Sequence, residues 1–304
     1  MRRPALLLPS LAAVLLAVAL LLPPLAVPRR TVDAIVVLDI TQSMDVEDRS
    51  LDGVPVSRLA FAQAAARRAL RELPCGSRIG WGAFTEYRTL LLMAPIEVCG
   101  NYADLLATLA QVDGRVRWGD ASEVSKGVFW ALRAARDVGG DPAVVFVTDG
   151  QESPPIDGAR FAMFEDLKAG QVRGWLVGVG GPVPRPIPRS DAQGVRVGYW
   201  RAEDVIQRNA RAGEPRSHEE LSSLHETHLR DLAAKTGLAY ATLDEVSGLE
   251  ALLRDTRLAR WGRVPTELGW LPAALAGLLL VVHFRPDALR RRRRAGPPLS
   301  PPVR

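Results

Sequence analysis

The sequence predicts an α/β fold in which helices cover both faces of a doubly wound, mostly parallel sheet. Residues 34–38 (AIVVL) and 143–147 (AVVFV) are apolar without alternation, which is typical of strands buried on both faces. Segments with a helical period of apolar residues separate such runs along the chain. Because strands that alternate with helices form parallel sheets, this order of segments indicates the class of fold.

The predicted elements follow one another from residue 33 to residue 258. The first helix has the clearest start, because Ser57 is placed to cap it before Arg58. Two strands on either side of Glu86-Tyr87-Arg88 form a predicted hairpin, which adds one antiparallel edge strand. Residues 180–200 are rich in Pro, Gly and Arg and predict an irregular excursion with a hairpin. The full set is strands 33–39, 79–85, 89–98, 143–148, 173–179 and 238–242, and helices 58–73, 102–109, 122–136, 161–168, 221–235 and 244–258.

The two cysteines of the chain, Cys75 and Cys99, flank the predicted hairpin. A hairpin centred on Tyr87 pairs positions whose numbers add to 174, and the numbers of the two cysteines have that sum. The thiols would therefore lie opposite each other, within the Cα range of a disulfide. We expect this disulfide in an oxidising compartment; the alternative is two unrelated buried cysteines.

Two apolar segments predict transmembrane helices on either side of the domain. Residues 5–27 carry no charge and are long enough for a bilayer core of about 30 Å, with a cleaved signal peptide as the alternative. Five arginines at 290–294 follow the second segment, and the positive-inside rule places them in the cytoplasm. We therefore expect a bacterial inner-membrane protein whose domain faces the periplasm. The predicted map is a cytoplasmic N-terminus 1–4, a signal-anchor transmembrane helix 5–27, a domain 32–258, a transmembrane helix 266–284, and a basic, Pro-rich cytoplasmic tail 285–304.

The formal net charge of +5 at pH 7 does not indicate a nucleic-acid partner. The excess positive charge is concentrated in the arginine run beside the second apolar segment. In that position it is expected to set topology and to touch anionic lipid. We therefore expect this arginine run to contact the inner membrane, and we expect no nucleic-acid partner.

Polar oxygen ligands follow two of the predicted buried strands. Asp39, Thr41 and Ser43 come directly after strand 33–39, and Asp149 comes directly after strand 143–148. Ligands of doubly wound sheets bind at the carboxyl ends of the strands. Carboxylate and hydroxyl oxygens suit Mg²⁺ or Mn²⁺ better than zinc or copper. The sequence therefore predicts a divalent-cation site at this edge of the sheet.

This arrangement resembles the von Willebrand factor type A (VWA) domain and its metal-ion-dependent adhesion site. The family's D-x-S-x-S is matched by Asp39, Thr41 and Ser43, with Thr in place of the first Ser, and its last aspartate is matched by Asp149. The family's loop threonine is matched by Ser122, for which Ser125 is the less favoured substitute. The resemblance covers residues 32–258 and implies a Rossmann-like fold that binds Mg²⁺, with Mn²⁺ or Ca²⁺ as alternatives. It implies that a partner protein supplies an acidic side chain to the metal.

Further segments resemble the membrane-anchored bacterial subgroup associated with MoxR-type ATPases. They are residues 77–84 (SRIGWGAF), 177–181 (VGVGG) and 229–240 (LRDLAAKTGLAY). More narrowly, 39–44 (DITQSM), 74–78 (PCGSR) and 97–99 (EVC) look like the MxaL-type accessory proteins of methanol dehydrogenase. This resemblance implies a role in maturing, or loading metal into, a periplasmic quinoprotein dehydrogenase together with a MoxR-type ATPase.

Two other functions remain open at this point. His218, His225 and His228 have helical spacings, so a zinc-dependent hydrolase is one alternative; a structural membrane organiser with a vestigial metal site is another. Motifs of serine hydrolases, P-loop ATPases and HExxH metalloproteases do not occur in the sequence, which favours a binding protein over an enzyme. We therefore assign no catalytic residues, and we expect Trp118 to contact the partner.

Overall fold

The computed structural model describes residues 4–155, 167–191, 193–205 and 217–284. The described strands are, in chain order, β1 (Leu25–Thr31), β2 (Asp33–Asp39), β3 (Arg49–Leu51), β4 (Val54–Val56), β5 (Arg78–Thr85), β6 (Arg88–Glu97), β7 (Ala143–Thr148), β8 (Gly174–Gly178), β9 (Arg185–Pro186), β10 (Pro188–Ser190), β11 (Arg196–Tyr199), β12 (Leu221–Ser222), β13 (Ala239–Thr242) and β14 (Arg260–Thr266). The helices are α1 (Pro4–Leu21), α2 (Arg58–Glu72), α3 (Tyr102–Ala110), α4 (Val124–Asp137), α5 (Glu226–Thr236), α6 (Gly248–Arg254) and α7 (Trp270–Phe284).

The chain divides into two units, Arg29–Gly262 and a second unit formed by Met1–Pro28 with Arg263–Arg304. The larger unit contains a six-stranded sheet in the order β13-β8-β7-β2-β5-β6. Every neighbouring pair is parallel except β5 and β6, which are antiparallel. The prediction of a mixed α/β fold with a mostly parallel sheet and one antiparallel edge strand is therefore confirmed.

Two apolar layers bury the sheet, one on each face. Val36 and Leu38 of β2 pack in the layer that contains α2, α3 and α6. Ile35 and Val37, which alternate with them, pack in the layer that contains α4 and α5. Because β2 is buried on both faces, it reads as a continuous apolar run.

The central strands end together, and this brings the predicted acids to one edge of the sheet. Leu38 of β2 pairs in register with Val147 of β7. Asp39 is the next residue on one strand and Thr148 is the next residue on the other, with Asp149 directly after it. The register therefore places Asp39 and Asp149 on neighbouring strand ends.

Two predicted helices have different bounds in the structure. The helix predicted at 221–235 begins only at Glu226, because Leu221 and Ser222 pair with Pro186 and Arg185 as strand β12. The helix predicted at 244–258 is shortened to α6. The helix predicted at 161–168 lies almost wholly outside the described residues.

The structure confirms the disulfide between Cys75 and Cys99, whose Cα atoms lie 5.2 Å apart. The hairpin register differs from the expected one, since it is not constant. Thr85 faces Arg88 beside the turn, whereas Ile79 faces Ile96 beyond two irregularities in the pairing. The numbers of paired residues add to 173 beside the turn and to 175 beyond the two irregularities. The β-bulges therefore change the register by two positions, and the sum of 174 expected for the cysteines lies between the two values.

The predicted location at a bacterial inner membrane, with a periplasmic domain and a cytoplasmic tail, is wrong. Among the described residues, no helix is both long enough and apolar enough to cross a bilayer. The helix in the first apolar segment ends at Leu21 and the chain enters β1 at Leu25, while α7 has only 15 residues. At 1.5 Å per residue, helices of 18 and 15 residues reach about 27 and 22 Å, short of a core of about 30 Å. The predicted tail 285–304 lies outside the described residues.

We predict that replacing both cysteines by serine lowers the free energy of unfolding by roughly 3 kcal/mol, because the disulfide closes a loop with a sequence separation of 24 residues. Urea unfolding of the oxidised wild type and of the Cys75→Ser/Cys99→Ser variant measures the difference. Reduction of the wild type should reproduce the variant's midpoint, and equal midpoints for oxidised and reduced wild type would contradict the prediction.

Candidate functional site

Asp39 ends β2 and its carboxylate is fully buried. One oxygen, Oδ1, accepts hydrogen bonds from the backbone N–H of Thr41 at 2.9 Å and from its hydroxyl at 2.7 Å. The other oxygen, Oδ2, accepts from the hydroxyl of Thr148 at 2.6 Å. Asp39 therefore fixes the loop that leaves β2 and ties it to the end of β7.

The loop after β2 carries the two hydroxyls predicted from the sequence. It forms a short 3-10 turn at Gln42–Asp45. The hydroxyl oxygens of Thr41 and Ser43 lie 3.1 Å apart, and both residues line the same cavity. The turn thus places two hydroxyl oxygens side by side at the carboxyl edge of the sheet.

Ser122 joins this cavity from a different loop. Its backbone pairs with Ser153 through hydrogen bonds of 2.8 and 2.7 Å. Its hydroxyl donates to the carbonyl oxygen of Gln151 at 2.7 Å. The alternative residue, Ser125, uses both its N–H and its hydroxyl on Glu152 at the start of α4. Of the two serines, Ser122 is the one that lines the cavity with Thr41 and Ser43.

Asp149 follows β7 and is also fully buried. Its Oδ1 accepts from the N–H of Gln151 at 2.9 Å. Its Oδ2 accepts from the guanidinium of Arg58 at 2.6 Å and from the hydroxyl of Ser222 at 2.9 Å. Asp149 is thus placed beside Asp39 but already has a positively charged partner.

The partner of Asp149 was not singled out from the sequence, where Arg58 is simply the first residue of a helix. Its guanidinium is fully buried and also pairs with Asp48 at 2.7 Å. Burial disfavours the charge on Arg58, but Asp149 and Asp48 outweigh this and raise its pKa above its ordinary value. Burial likewise disfavours the charge on Asp48, yet hydrogen bonds from Arg58 and from the N–H of Gly181 hold the pKa of Asp48 below its ordinary value.

Two buried carboxylates in neighbouring positions repel each other. Burial first, and the charge of Asp149 second, raise the pKa of Asp39 to about 7, although hydrogen bonds from Thr148 and Thr41 oppose the rise. The strand ends therefore create a place where additional positive charge would be stabilised.

The cavity in front of the hydroxyls has a volume of about 250 Å³. Trp200 reaches it from the irregular excursion, and its indole N–H donates to the side-chain oxygen of Gln42 at 2.8 Å. The side-chain amide of Gln42 in turn donates to Asp120 at 2.8 Å. Asp204 and Glu219 also line the cavity, so its mouth carries three carboxylates that the sequence did not single out.

The predicted partner contact, Trp118, is 41% exposed. Trp118 is not among the described residues that line the cavity. Whether Trp118 contacts a partner therefore stays a prediction.

The three histidines lie around a second cavity of about 480 Å³. His225 contacts the side-chain oxygen of Gln151 at 3.1 Å, and His228 contacts Glu152 at 2.9 Å. His218 is turned to Glu220 at 3.0 Å. Within the described ranges, the one group of three His, Cys, Asp or Glu residues close enough for a metal is Cys75, Glu97 and Cys99, and the disulfide occupies both sulfurs of that group. The histidines therefore do not form the zinc cluster that the hydrolase alternative requires.

No family model matches this sequence. One similar curated protein is a UPF0353 protein of Mycobacterium sp. (strain KMS), which is 32% identical over 142 residues; the match covers 47% of this chain and 36% of that protein. Another is UPF0353 protein ML1808 of Mycobacterium leprae (strain TN), which is 30% identical over 165 residues; the match covers 51% of this chain and 43% of that protein. The chain thus spans less than half the length of these curated relatives.

The solved structures that are similar to this chain include the following three. The first is an aerotolerance-related membrane protein of Bacteroides fragilis, with 16% identity, coverage of 73% of this chain and 96% of that chain, and a TM-score of 0.48. The VWA2 protein of Sulfolobus acidocaldarius follows with 13% identity, 75% and 46% coverage and a TM-score of 0.42. A von Willebrand factor type A protein of Catenulispora acidiphila has 11% identity, 77% and 50% coverage and a TM-score of 0.41.

We predict that the metal-free protein loses stability as the pH rises from about 4 to about 7. The pKa of Asp39 is raised in the folded state, so its stabilising contribution is complete below its ordinary pKa of about 3.9 and is lost as the pH rises through about 7. Thermal unfolding in EDTA between pH 5 and 8 measures this slope. The Asp39→Asn variant should have a flatter profile, whereas Asp104→Asn, an exposed carboxylate on α3, should keep the wild-type slope. Equal slopes for all three proteins would contradict the assignment.

Proposed function

We propose that this chain is a VWA-type binding domain that captures an acidic side chain of a partner protein through a divalent cation. The cation would be held by Thr41, Ser43 and Ser122, with the charges of Asp39 and Asp149 behind them. The observation that carries the proposal is the convergence of three hydroxyls from two loops on one cavity, in front of two buried carboxylates.

The residues fit Mg²⁺ in kind and in spacing. All five side chains offer oxygen, which is the ligand atom that Mg²⁺ and Mn²⁺ prefer. The hydroxyl oxygens of Thr41 and Ser43 are 3.1 Å apart. Adjacent ligands of an octahedral Mg²⁺, each about 2.0–2.1 Å from the ion, lie about 3 Å apart. The pair could therefore occupy neighbouring corners of one coordination sphere.

The hydrogen bonds at the site prepare the hydroxyls for this task. The hydroxyl hydrogen of Thr41 is donated to Asp39, and that of Ser122 is donated to the carbonyl of Gln151. Each hydroxyl has one hydrogen and two lone pairs, so lone pairs on both oxygens are left available to a cation. When bound, the cation would supply an electrophilic position that accepts a carboxylate oxygen.

The rim of the cavity makes capture depend on the metal. Asp120, Asp204 and Glu219 line the mouth, and no ion-pair partner of these three occurs in the described part of the chain. A partner that brings a carboxylate would be repelled by this rim unless a cation outweighs it. The proposed domain therefore binds rather than catalyses, and binds only when loaded.

The sequence resemblance extends this proposal to a particular client. The segments shared with MoxR-associated and MxaL-type proteins support an accessory role in maturing a quinoprotein dehydrogenase, including its metal loading, together with a MoxR-type ATPase. The acidic side chain captured by the domain would belong to one of these two partners.

We predict that Mg²⁺ raises the Tm of the wild-type protein and that Ser122→Ala removes most of this rise. A ligand that binds only the folded state at 100 times its Kd adds about 2.7 kcal/mol of stability, so the effect is measurable by calorimetry. Ser125→Ala is the matched control, because its hydroxyl is bonded to Glu152 and lies outside the cavity lining. If the Mg²⁺-induced rise in Tm is lost in Ser125→Ala but not in Ser122→Ala, the ligand is Ser125 and the assignment of Ser122 is wrong. If Mg²⁺ does not change the Tm of the wild type, the proposal is refuted.

We predict that Asp39→Ala abolishes Mg²⁺-dependent capture of the partner. Purified quinoprotein dehydrogenase and MoxR-type ATPase from the same cell are the probes, each passed over immobilised wild-type or variant protein in Mg²⁺ and in EDTA. Retention should require both the wild-type site and Mg²⁺. Circular dichroism checks that the variant is folded, and equal retention in EDTA would contradict a metal-mediated contact.

A further inference from the structure

The guanidinium of Arg58 is enclosed on every side by the candidate site. Its Nη1 donates to Asp149 at 2.6 Å, to the hydroxyl of Ser222 at 2.7 Å and to the carbonyl of Ser43 at 3.4 Å. Its Nε and Nη2 donate to the carboxylate of Asp48 at 3.0 and 2.7 Å, and Nη2 reaches the carbonyl of Ser222 at 3.3 Å. All three nitrogens of the guanidinium are thus engaged, as a buried arginine requires.

The backbone closes over this group. A side chain at Gly180 would place its Cβ 2.8 Å from Nε of Arg58. Gly180 also has a φ of +133°, which favours glycine. The chain after β8 can therefore pass directly against the guanidinium, and Arg58 is fully buried as a result.

Arg58 also decides which side of Asp149 is open to a cation. Among the described residues, Oδ2 of Asp149 accepts hydrogen bonds from Arg58 and Ser222, whereas Oδ1 accepts one, from the N–H of Gln151. A carboxylate oxygen has two lone-pair positions, so Oδ2 is filled and Oδ1 keeps one position. Asp149 can therefore act on a cation through Oδ1 or through its charge, but not through Oδ2.

We propose that Arg58 is a positioning residue that acts as a built-in counter-charge for the metal site. It holds Asp149 in place beside Asp39 when no divalent cation is bound, so the hydroxyl face is already assembled when the cation arrives. The same positive charge opposes the cation, so Arg58 also lowers the affinity of the site and makes binding readily reversible. This inference rests on the Mg²⁺ site proposed above.

The charge balance at the site supports both halves of this role. When all four groups are ionised, Asp39, Asp48 and Asp149 carry three negative charges and Arg58 carries one positive charge. Buried charges are stable only when they are paired and hydrogen-bonded. Without Arg58, Asp48 and Asp149 would lose their shared partner, and the site would depend on the added cation for its compensating charge.

The test compares Mg²⁺ binding and thermal unfolding of the wild type with those of Arg58→Met, Arg58→Gln, Arg58→Lys and Arg173→Met. In Arg58→Met, the Tm in EDTA should fall, the Kd for Mg²⁺ should drop by about tenfold because one opposing charge is gone, and the Mg²⁺-induced rise in Tm should exceed that of the wild type. Arg58→Lys retains the charge, so its Kd for Mg²⁺ should stay close to that of the wild type, whereas its Tm in EDTA should fall, since an ammonium cannot bridge both carboxylates as the planar fork does.

Arg173→Met is the control for loss of an arginine away from the site. Arg173 lies directly before β8, at the edge of the sheet opposite Asp39 and Asp149, where it donates to the carbonyl of Arg257 at 2.8 Å and lies 3.8 Å from Asp141. Its loss should lower the Tm equally with and without Mg²⁺. A purely structural role for Arg58 predicts the same pattern for Arg58→Met, and that result would overturn the inference.

The outcomes separate this inference from the proposed function. If Mg²⁺ changes neither the Tm nor the calorimetric signal of the wild type, the metal site itself is refuted. A wild type that binds Mg²⁺, with an unchanged or weaker affinity in Arg58→Met, refutes only the counter-charge role. If Arg58→Met is recovered folded only in Mg²⁺, the dependence on the cation is shown directly. If it does not fold in either condition, Arg58→Gln decides, because it removes the charge and keeps a hydrogen-bond donor, and a wild-type Kd in that variant counts against the inference.

Discussion

The buried contact between Arg58 and Asp149 is the interaction on which the rest of the site depends. It joins the start of α2 to the end of β7, and its further bonds reach Ser43 in the loop after β2 and Ser222 in β12. A buried charge without a partner is strongly destabilising, so these four segments must assemble around the guanidinium together. The positions of Asp149 and of the loop that bears Thr41 and Ser43 follow from this constraint.

The sequence was sufficient to predict the acids of the site because a parallel sheet brings its strand ends to one edge. Asp39 and Asp149 each follow a continuous apolar run, and the register of β2 on β7 then makes them neighbours. Arg58 could not be found in this way. It lies 91 residues from Asp149 in sequence, and arginine side chains are mostly solvent-exposed, so only the folded chain shows that this one points inward.

The contacts that the sequence does not predict are made by irregular segments that fold back against the carboxyl edge of the sheet. Trp200 reaches Gln42 across 158 residues from an excursion that has no periodicity. Two further pairings near the site also join distant parts of the chain, since Asp45 pairs with Arg117 and Glu152 pairs with His228. The apolar composition of the N-terminal segment fitted a membrane span, but composition does not show that the helix ends at Leu21 and gives way to a strand.

The most direct test of the account is a crystal structure of the protein soaked in Mn²⁺, located by its anomalous scattering. The account predicts one strong peak in the cavity, about 2.1–2.3 Å from the hydroxyl oxygens of Thr41 and Ser43, with the bond between Arg58 and Oδ2 of Asp149 intact. A peak bonded to Oδ2 of Asp149 with Arg58 displaced, or a peak among the histidines of the second cavity, would contradict it.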